Sequence, residues 1–228
     1  MITSENNIFT KSIFILLILM CFPLQASYVM TELEGTPLDV PSPINTVVWD
    51  NTDTGYPNDD DKQTVSIGFP FQFDNTLYND VTILTNGILK FGDVERMHRD
   101  YQNEQLATDE GDRFIAIYWD DLVDDNQSTV TYGNLGVSPN RRFIANWTNV
   151  RAYSNNSNRY DFQVVLYENG DIRYRYNNNT SNGASATIGL EIDDSDFIQY
   201  SFNSISVEVS FDLLFRNELL SLPPSLLH

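Results

Sequence analysis

The sequence predicts an all-β protein, folded as a two-sheet antiparallel sandwich of jelly-roll type. The first observation is that residues 64–73 alternate strictly, with apolar side chains at Val65, Ile67, Phe69, Phe71 and Phe73. A period of two places these side chains on one face of a strand, and that face needs a second sheet to cover it. The second observation is that similar short apolar runs, separated by turn signals, recur through most of the chain. Helical periodicity is nearly absent after residue 26.

The N-terminal half of the predicted sandwich begins with a polar segment, residues 27–63, in which positions 47–49 are expected to form a short strand. The alternating strand 64–73 follows, and then a hairpin that turns at Asn86-Gly87, because both residues tolerate a positive φ. Residues 93–112 are a polar insertion. Residues 114–119 (FIAIYW) are continuously apolar, which is typical of a central strand that is covered on both faces.

The C-terminal half contains the clearest hairpin, residues 160–176, which turns at Asn169-Gly170. Further strands are expected at residues 129–132, 143–147, 186–192, 197–202 and 205–211. We therefore predict that residues 64–216 form the sandwich and residues 217–228 a tail. The tail is apolar, but Pro223-Pro224 interrupts it, so we expect no transmembrane span in the mature chain.

The composition excludes some classes of function. Asp and Glu total 32 against 13 Lys and Arg, a formal net charge of -19. Nucleic-acid binding is excluded because phosphate contacts need a basic face. A hydrophobic content of 41% is typical of a globular core and not of a disordered chain.

Residues 1–26 have the features of a secretory signal peptide. Lys11 precedes an apolar run at 13–22 that is too short to span a bilayer, and Ala26 ends a small-residue cleavage site. The predicted location is extracellular, at the cell surface, or periplasmic, and an uncleaved membrane anchor is the alternative. Cys21, the only cysteine, lies in this segment, so the mature domain would have no disulfide. Lipidation at Cys21 is a further alternative, although Met20 is bulky for a lipobox.

An ordered series of motifs resembles the sandwich domain near the N-terminus of MshQ, the MSHA pilus biogenesis protein of bacteria. It is also similar, more loosely, to nidogen-like extracellular domains. The motifs are IGFPFQF (67–73), LTNGILKFG (84–92), FIAIYWDDL (114–122), PNRRFIANWTNV (139–150), FQVVLYENGDIRYRY (162–176) and ATIGLE (186–191). The resemblance implies a laminin G or concanavalin-like layout and an adhesion or pilus-associated role without catalytic residues. The implied partners are a cell-surface glycan or a surface or pilus protein.

Two acidic runs are candidate metal sites. Asp120, Asp121, Asp124 and Asp125 follow the central strand, and carboxylates at a strand end suit calcium, which prefers oxygen ligands. Residues 59–61 are a similar run of aspartates. The alternative is a pair of solvated acidic loops. Calcium is the only cofactor that the sequence indicates.

The chain carries one pattern that resembles a catalytic motif. Glu191, Asp193 and Asp196 resemble the Glu-Ile-Asp-x-x-Glu motif of sandwich-fold glycoside hydrolases, in which paired carboxylates act as nucleophile and acid. Here the last residue is one methylene shorter than the glutamate of that motif, and a strand that ends in an acidic turn explains the pattern equally well. His98 lies in the polar insertion without a nucleophile elbow, so a triad that uses it is not expected.

Aromatic and basic residues complete the set of candidates. Tyr101, Tyr153 and Tyr160 lie in polar segments and are candidates for exposed, sugar-stacking side chains. Trp119 and Trp147 are in phase with apolar neighbours and are expected in the core. The pair Arg141-Arg142 is expected to bind Asp120 or Asp121 across the sheet, or to contact an anionic ligand.

Overall fold

The structure is a computed structural model that describes residues 28–50, 58–95, 97, 99–108 and 113–218. The expected signal peptide with Cys21, the candidate His98 and most of the expected tail lie outside the described residues. No helix in the described part of the chain is long and apolar enough to cross a membrane. Within these ranges there are fourteen strands: β1 (Tyr28–Glu34), β2 (Asn45–Thr46), β3 (Lys62–Phe73), β4 (Thr76–Leu84), β5 (Ile88–Phe91), β6 (Phe114–Trp119), β7 (Leu122–Val123), β8 (Thr129–Leu135), β9 (Arg142–Ala152), β10 (Arg159–Tyr167), β11 (Ile172–Asn179), β12 (Thr187–Asp193), β13 (Asp196–Phe202) and β14 (Phe211–Asn217).

The strands form two antiparallel sheets, which confirms the predicted sandwich. Sheet A has eight strands in the order β1-β14-β11-β10-β9-β8-β2, with β7 paired to β9. Sheet B has six strands in the order β13-β12-β6-β5-β4-β3. Sequential hairpins account for most neighbours, whereas β1 beside β14 and β6 beside β12 join parts of the chain that are distant in sequence.

The main core lies between the sheets and follows the alternation in the sequence. All five apolar side chains of β3 are buried in it, while Ser66, Gly68 and Pro70 between them are exposed. The six residues of β6 are all buried, as their continuous apolar run predicts. Trp147 lies in the main core, stacked on Phe162 with ring centroids 5.0 Å apart.

The last strand differs from the prediction. Residues 203–210 form a loop, and the strand β14 begins only at Phe211. Ile205 and Val209 are 74% and 59% exposed, so the apolar alternation at 205–211 does not mark a buried face. β1 lies in a segment for which the sequence predicts no strand before residue 47. Its partner in sheet A is β14 at the far end of the chain, from Tyr28 opposite Asn217 to Glu34 opposite Phe211. A pairing over this distance leaves no local pattern in the sequence.

Residues 35–44 form a strap that crosses the outer face of sheet A. Its contacts follow the order of the strands: Thr36 with Asp212 of β14 (3.1 Å), Pro37 with Arg175 of β11 (3.3 Å), Asp39 with Gln163 of β10 and Arg142 of β9, and Ser42 with Asn134 of β8. The side-chain amide of Gln163 bonds both the N–H and the carbonyl of Asp39, at 3.1 and 2.8 Å. Sheet A is therefore held on both faces, by the core inside and by the strap outside.

The polar insertion packs on the outer face of sheet B. Met97 and Leu106 form a second, smaller core there with side chains that point away from the main core. The side chains of sheet B in this second core are Leu84, Ile88, Phe114, Ala116 and Trp119. The Trp119 indole N–H donates to the carbonyl of Asp100 at 2.7 Å, and the Leu106 N–H donates to Gln199 at 2.9 Å. Trp119 is in a core, as predicted, but in this second one.

Candidate functional site

The acidic runs meet at one end of the sandwich, which we call the acidic end. Residues 58–61 lead into β3, and residues 120–125 follow β6 and contain β7. A β-bridge joins Asp59 to Val123, and the Asp124 N–H donates to the carbonyl of Asn58 at 3.1 Å. The turn after β9 is fixed to the same region, because the Tyr153 N–H donates to the carbonyl of Asp121 at 2.8 Å.

Three carboxylates converge at the acidic end. Asp59, Asp60 and Asp121 each place one carboxylate oxygen within 4.8 Å of the others. Asp59 is buried, and the other two are partly buried. Hard cations such as calcium prefer converging oxygen ligands of this type, so these are the residues that could hold a metal ion. The two acidic runs are far apart in sequence, and the backbone contacts of Asp59 and Asp124 bring them together.

The electrostatics of this cluster oppose full ionisation. Burial raises the pKa of Asp121 to about 7, helped by the negative charges of Asp60, Asp59 and Asp120, while Arg151 acts in the opposite direction. Burial also raises the pKa of Asp120 to about 6, although Ser185 donates a hydrogen bond to its Oδ2 at 2.5 Å. The cluster therefore favours a bound proton or a counterion near neutral pH.

The other two predicted calcium ligands make different contacts. Asp124 accepts the Trp49 indole N–H at 2.8 Å and the Ser128 hydroxyl at 2.9 Å. Asp125 accepts two bonds from the Arg159 guanidinium, at 2.9 and 2.8 Å, which is the main reason that its pKa falls to about 2. The structure thus groups Asp121 with residues 59 and 60 and gives Asp124 and Asp125 partners within the protein. Calcium binding itself stays a prediction.

The candidate tyrosines divide into two groups. Tyr101 and Tyr153 are 41% and 49% exposed, Tyr101 on the insertion and Tyr153 at the acidic end. The expectation of exposure is wrong for Tyr160, which is fully buried with its ring 4.7 Å from that of Tyr118. Its hydroxyl accepts a bond from Ser181 at 3.4 Å. The sequence signal for its burial is the alternation of β10, because Tyr160 is in phase with the buried Phe162 and Val164, whereas its immediate neighbours are polar.

The residues of the glycosidase-like motif lie in two different environments, one buried and one in a turn. Glu191 is fully buried beneath the insertion, and its Oε2 accepts the Thr108 N–H at 3.1 Å. Asp193 and Asp196 face each other across the β12–β13 turn, where Ser195 donates two hydrogen bonds to Asp193. Those bonds lower the pKa of Asp193. The motif is a strand that ends in an acidic turn.

The arginine pair lies at the opposite end of the molecule from Asp120 and Asp121. Arg141 pairs with Glu168 at 2.5 Å and Arg142 with Asp39 at 2.9 Å, so the expected pairing with the aspartates is wrong. The reason is that β9 begins at Arg142 and ends at Ala152, beside the acidic end. Eleven strand residues separate the two ends by roughly 30 Å.

Comparison with known proteins gives one match. A family model described as NIDO related matches residues 27–217. Searches of curated proteins and of solved structures found no match. The matched span takes in every strand, from Tyr28 of β1 to Asn217 of β14.

Proposed function

The chain belongs to the NIDO-related family, and from that premise we propose that it is a non-enzymatic extracellular or cell-surface module that binds a partner through its end loops. Membership of this family suggests an extracellular β-sandwich module. The finer parts of the proposal, adhesion and the use of the end loops, rest on the arrangement of the described residues.

The observation that carries the proposal is that each sheet is partly covered on its outer face. The strap crosses sheet A, and the insertion packs on sheet B. Internal contacts thus occupy part of the outer face of each sheet. Loops that a rigid scaffold positions are the usual place for recognition residues, and the end loops carry exposed polar side chains together with Tyr153.

A direct test measures binding of the purified chain to a glycan array and to intact cells. We expect binding to fall in Tyr153→Ala or in Asn140→Ala, which change exposed residues in loops at opposite ends. Val29→Ala is the matched control, because Val29 is 48% exposed but lies on the edge strand β1. The proposal is wrong if the chain binds no glycan, pilin or surface protein. It is also wrong if Val29→Ala alone loses binding while the two loop variants keep it.

A pilus-associated role is the narrower form of the proposal, and the resemblance to the MshQ sandwich domain supports it. Pull-down of the chain with assembled pilus components tests this form. Capture of a pilus component that Tyr153→Ala or Asn140→Ala abolishes would support it. Binding to glycans alone would leave the general proposal standing and exclude the pilus form.

Glycoside hydrolysis is the competing hypothesis, and the burial of Glu191 argues against it. A glycosidase nucleophile must reach the anomeric carbon of the substrate, and Thr108 of the insertion lies over this carboxylate. Assay on β-glucans with the unmodified chain and with Glu191→Gln separates the two. Turnover that Glu191→Gln abolishes would replace our proposal.

A further inference from the structure

A surface cleft opens at the end of the sandwich opposite the acidic end. The β8–β9 turn and the β10–β11 turn enclose it, with residues 139–142 on one side and 167–169 on the other. Its volume is about 290 Å³, near the lower limit for small-molecule sites. Neither the candidate tyrosines nor the acidic cluster contributes to its lining.

An ion pair is fixed in the wall of this cleft. Arg141 bonds Glu168 through its guanidinium at 2.5 Å and through its backbone N–H at 2.9 Å, and Ser138 adds a third donor at 2.9 Å. These bonds lower the pKa of Glu168 to about 2, so the carboxylate stays an ionised acceptor at neutral pH. The Arg141 guanidinium also lies 5.2 Å from the centroid of the Phe69 ring. Both groups are thus positioned before any ligand arrives, which lowers the entropic cost of binding.

The lining restricts the charge of the ligand. An anion would face the Glu168 carboxylate, and a cation would face the guanidinium groups of Arg141 and Arg142. A neutral ligand with adjacent hydroxyl groups avoids both penalties, because a hydroxyl can donate to a carboxylate and accept from a guanidinium. The amides of Asn140 and Asn169 add donors and acceptors, and Tyr167 adds a ring with a polar end.

We propose that this cleft is a subsite for one neutral sugar ring of a saccharide. The inference rests on the proposed function, since it names the ligand class and the end of the sandwich that binds it. The cleft is small, its lining combines polar and apolar surface, and it places donors beside acceptors, as the hydroxyl pattern and the carbon skeleton of a sugar require. Residues 139–142 and 167–169 are the recognition residues of this subsite.

The test is NMR titration of the ¹⁵N-labelled chain with methyl glycosides of glucose, galactose, mannose and N-acetylglucosamine. We expect shift changes confined to the amides of residues 140–142 and 167–169. Asn140→Ala and Tyr167→Phe should each weaken binding at least threefold, because each removes one polar contact and leaves the Arg141–Glu168 pair intact. Val209→Ala, which changes an exposed residue that does not line the cleft, should leave the affinity unchanged. The thermal midpoint of each variant verifies that it is folded.

Charged analogues supply the second arm of the test. Glucuronate and glucosamine should bind more weakly than glucose. Equal or tighter binding of either, or shift changes at residues 152–158 instead, would overturn the inference. If the chain binds cells or a surface protein but none of the glycosides, the subsite is wrong and the proposed function stands. If the chain binds neither cells, nor a surface protein, nor any of the glycosides, the subsite and the proposed function are both wrong.

Discussion

Asp121 is the residue at which the electrostatics of the acidic end can be measured. Its pKa is about 7 in the folded protein, above the ordinary 3.8. A raised carboxyl pKa contributes stability below pH 3.8, and this contribution is lost as the pH rises through 7. Asp121→Asn removes the charge, so we expect it to stabilise the protein by about 1 kcal/mol at pH 8, allowing for solvent screening. Near pH 3.5 the two proteins should have equal stability.

Asp125→Asn is the matched control for Asp121→Asn, with the opposite sign. The Arg159 contacts lower the pKa of Asp125 to about 2, so this group contributes stability above pH 3.8 that is lost as the pH falls through 2. Asp125→Asn should therefore destabilise the protein at pH 8. Thermal unfolding across this pH range measures both effects. An Asp121→Asn protein that is less stable than the unmodified chain at pH 8 would contradict the account of the cluster.

Gly87 is a residue whose side chain must be absent. Its φ is +73°, and a Cβ built on it would lie 2.1 Å from the carbonyl oxygen of Tyr118. Its own carbonyl accepts from the N–H groups of Ile117 and Tyr118. Gly87→Ala should cost about 3 kcal/mol, because strain and steric overlap act together.

Gly92→Ala separates the strain from the overlap. Gly92 also has a positive φ, +96°, but the nearest atom to its built Cβ is 3.8 Å away. This change should cost about 1 kcal/mol, for backbone strain alone. Urea denaturation gives both values, and equal costs at the two sites would show that the overlap with Tyr118 is relieved by movement.

At the scale of elements, the strap depends on Gln163 of β10. This residue is fully buried and bonds both backbone groups of Asp39, as well as Asn146 and Arg175. Gln163→Ala removes all of these hydrogen bonds at once, and the Asp39 N–H and carbonyl lose the side chain that binds them, so we expect a loss of about 2–3 kcal/mol in the free energy of unfolding. Asn45→Ala, at an exposed position just beyond the strap, should change it by less than about 0.5 kcal/mol. Equal effects in urea denaturation would mean that the strap contributes little.

The elements also show how far the sequence determines the fold. The alternation in β3, the continuous run in β6 and the hairpin of β10 and β11 are local patterns, and all three are confirmed. The strap has no period to detect, because it lies across strands and not beside one. β1 and the convergence of Asp59 and Asp60 with Asp121 depend on contacts between distant parts of the chain. Carboxylate-rich loops were visible in the sequence, but which of their members meet was not.

The whole molecule carries a formal charge of -19, and that charge opposes compactness. The Debye length falls from roughly 30 Å at 0.01 M salt to roughly 8 Å at 0.15 M, so added salt weakens the repulsion. We expect the thermal midpoint to rise by several degrees between these NaCl concentrations. A midpoint that falls or does not change would mean that favourable ion pairs such as Arg159–Asp125 outweigh the net repulsion.

Calcium chloride at matched ionic strength extends this measurement to the predicted calcium site. A larger increase with calcium than with sodium, reduced in Asp121→Asn, would indicate a specific site in the acidic cluster. Equal increases would assign the whole effect to screening.

The pairing of β1 with β14 has a mechanical consequence. Tyr28 lies opposite Asn217, so the chain enters and leaves the domain side by side at one edge of sheet A. A pulling force applied through these two points would load the hydrogen bonds of β1 and β14 one after another, as in a zipper, and not all at once in shear. The strap follows β1 directly and would be the next part to peel away. A domain tethered in this way should yield first at this edge and at low force, while the rest of the sandwich stays folded.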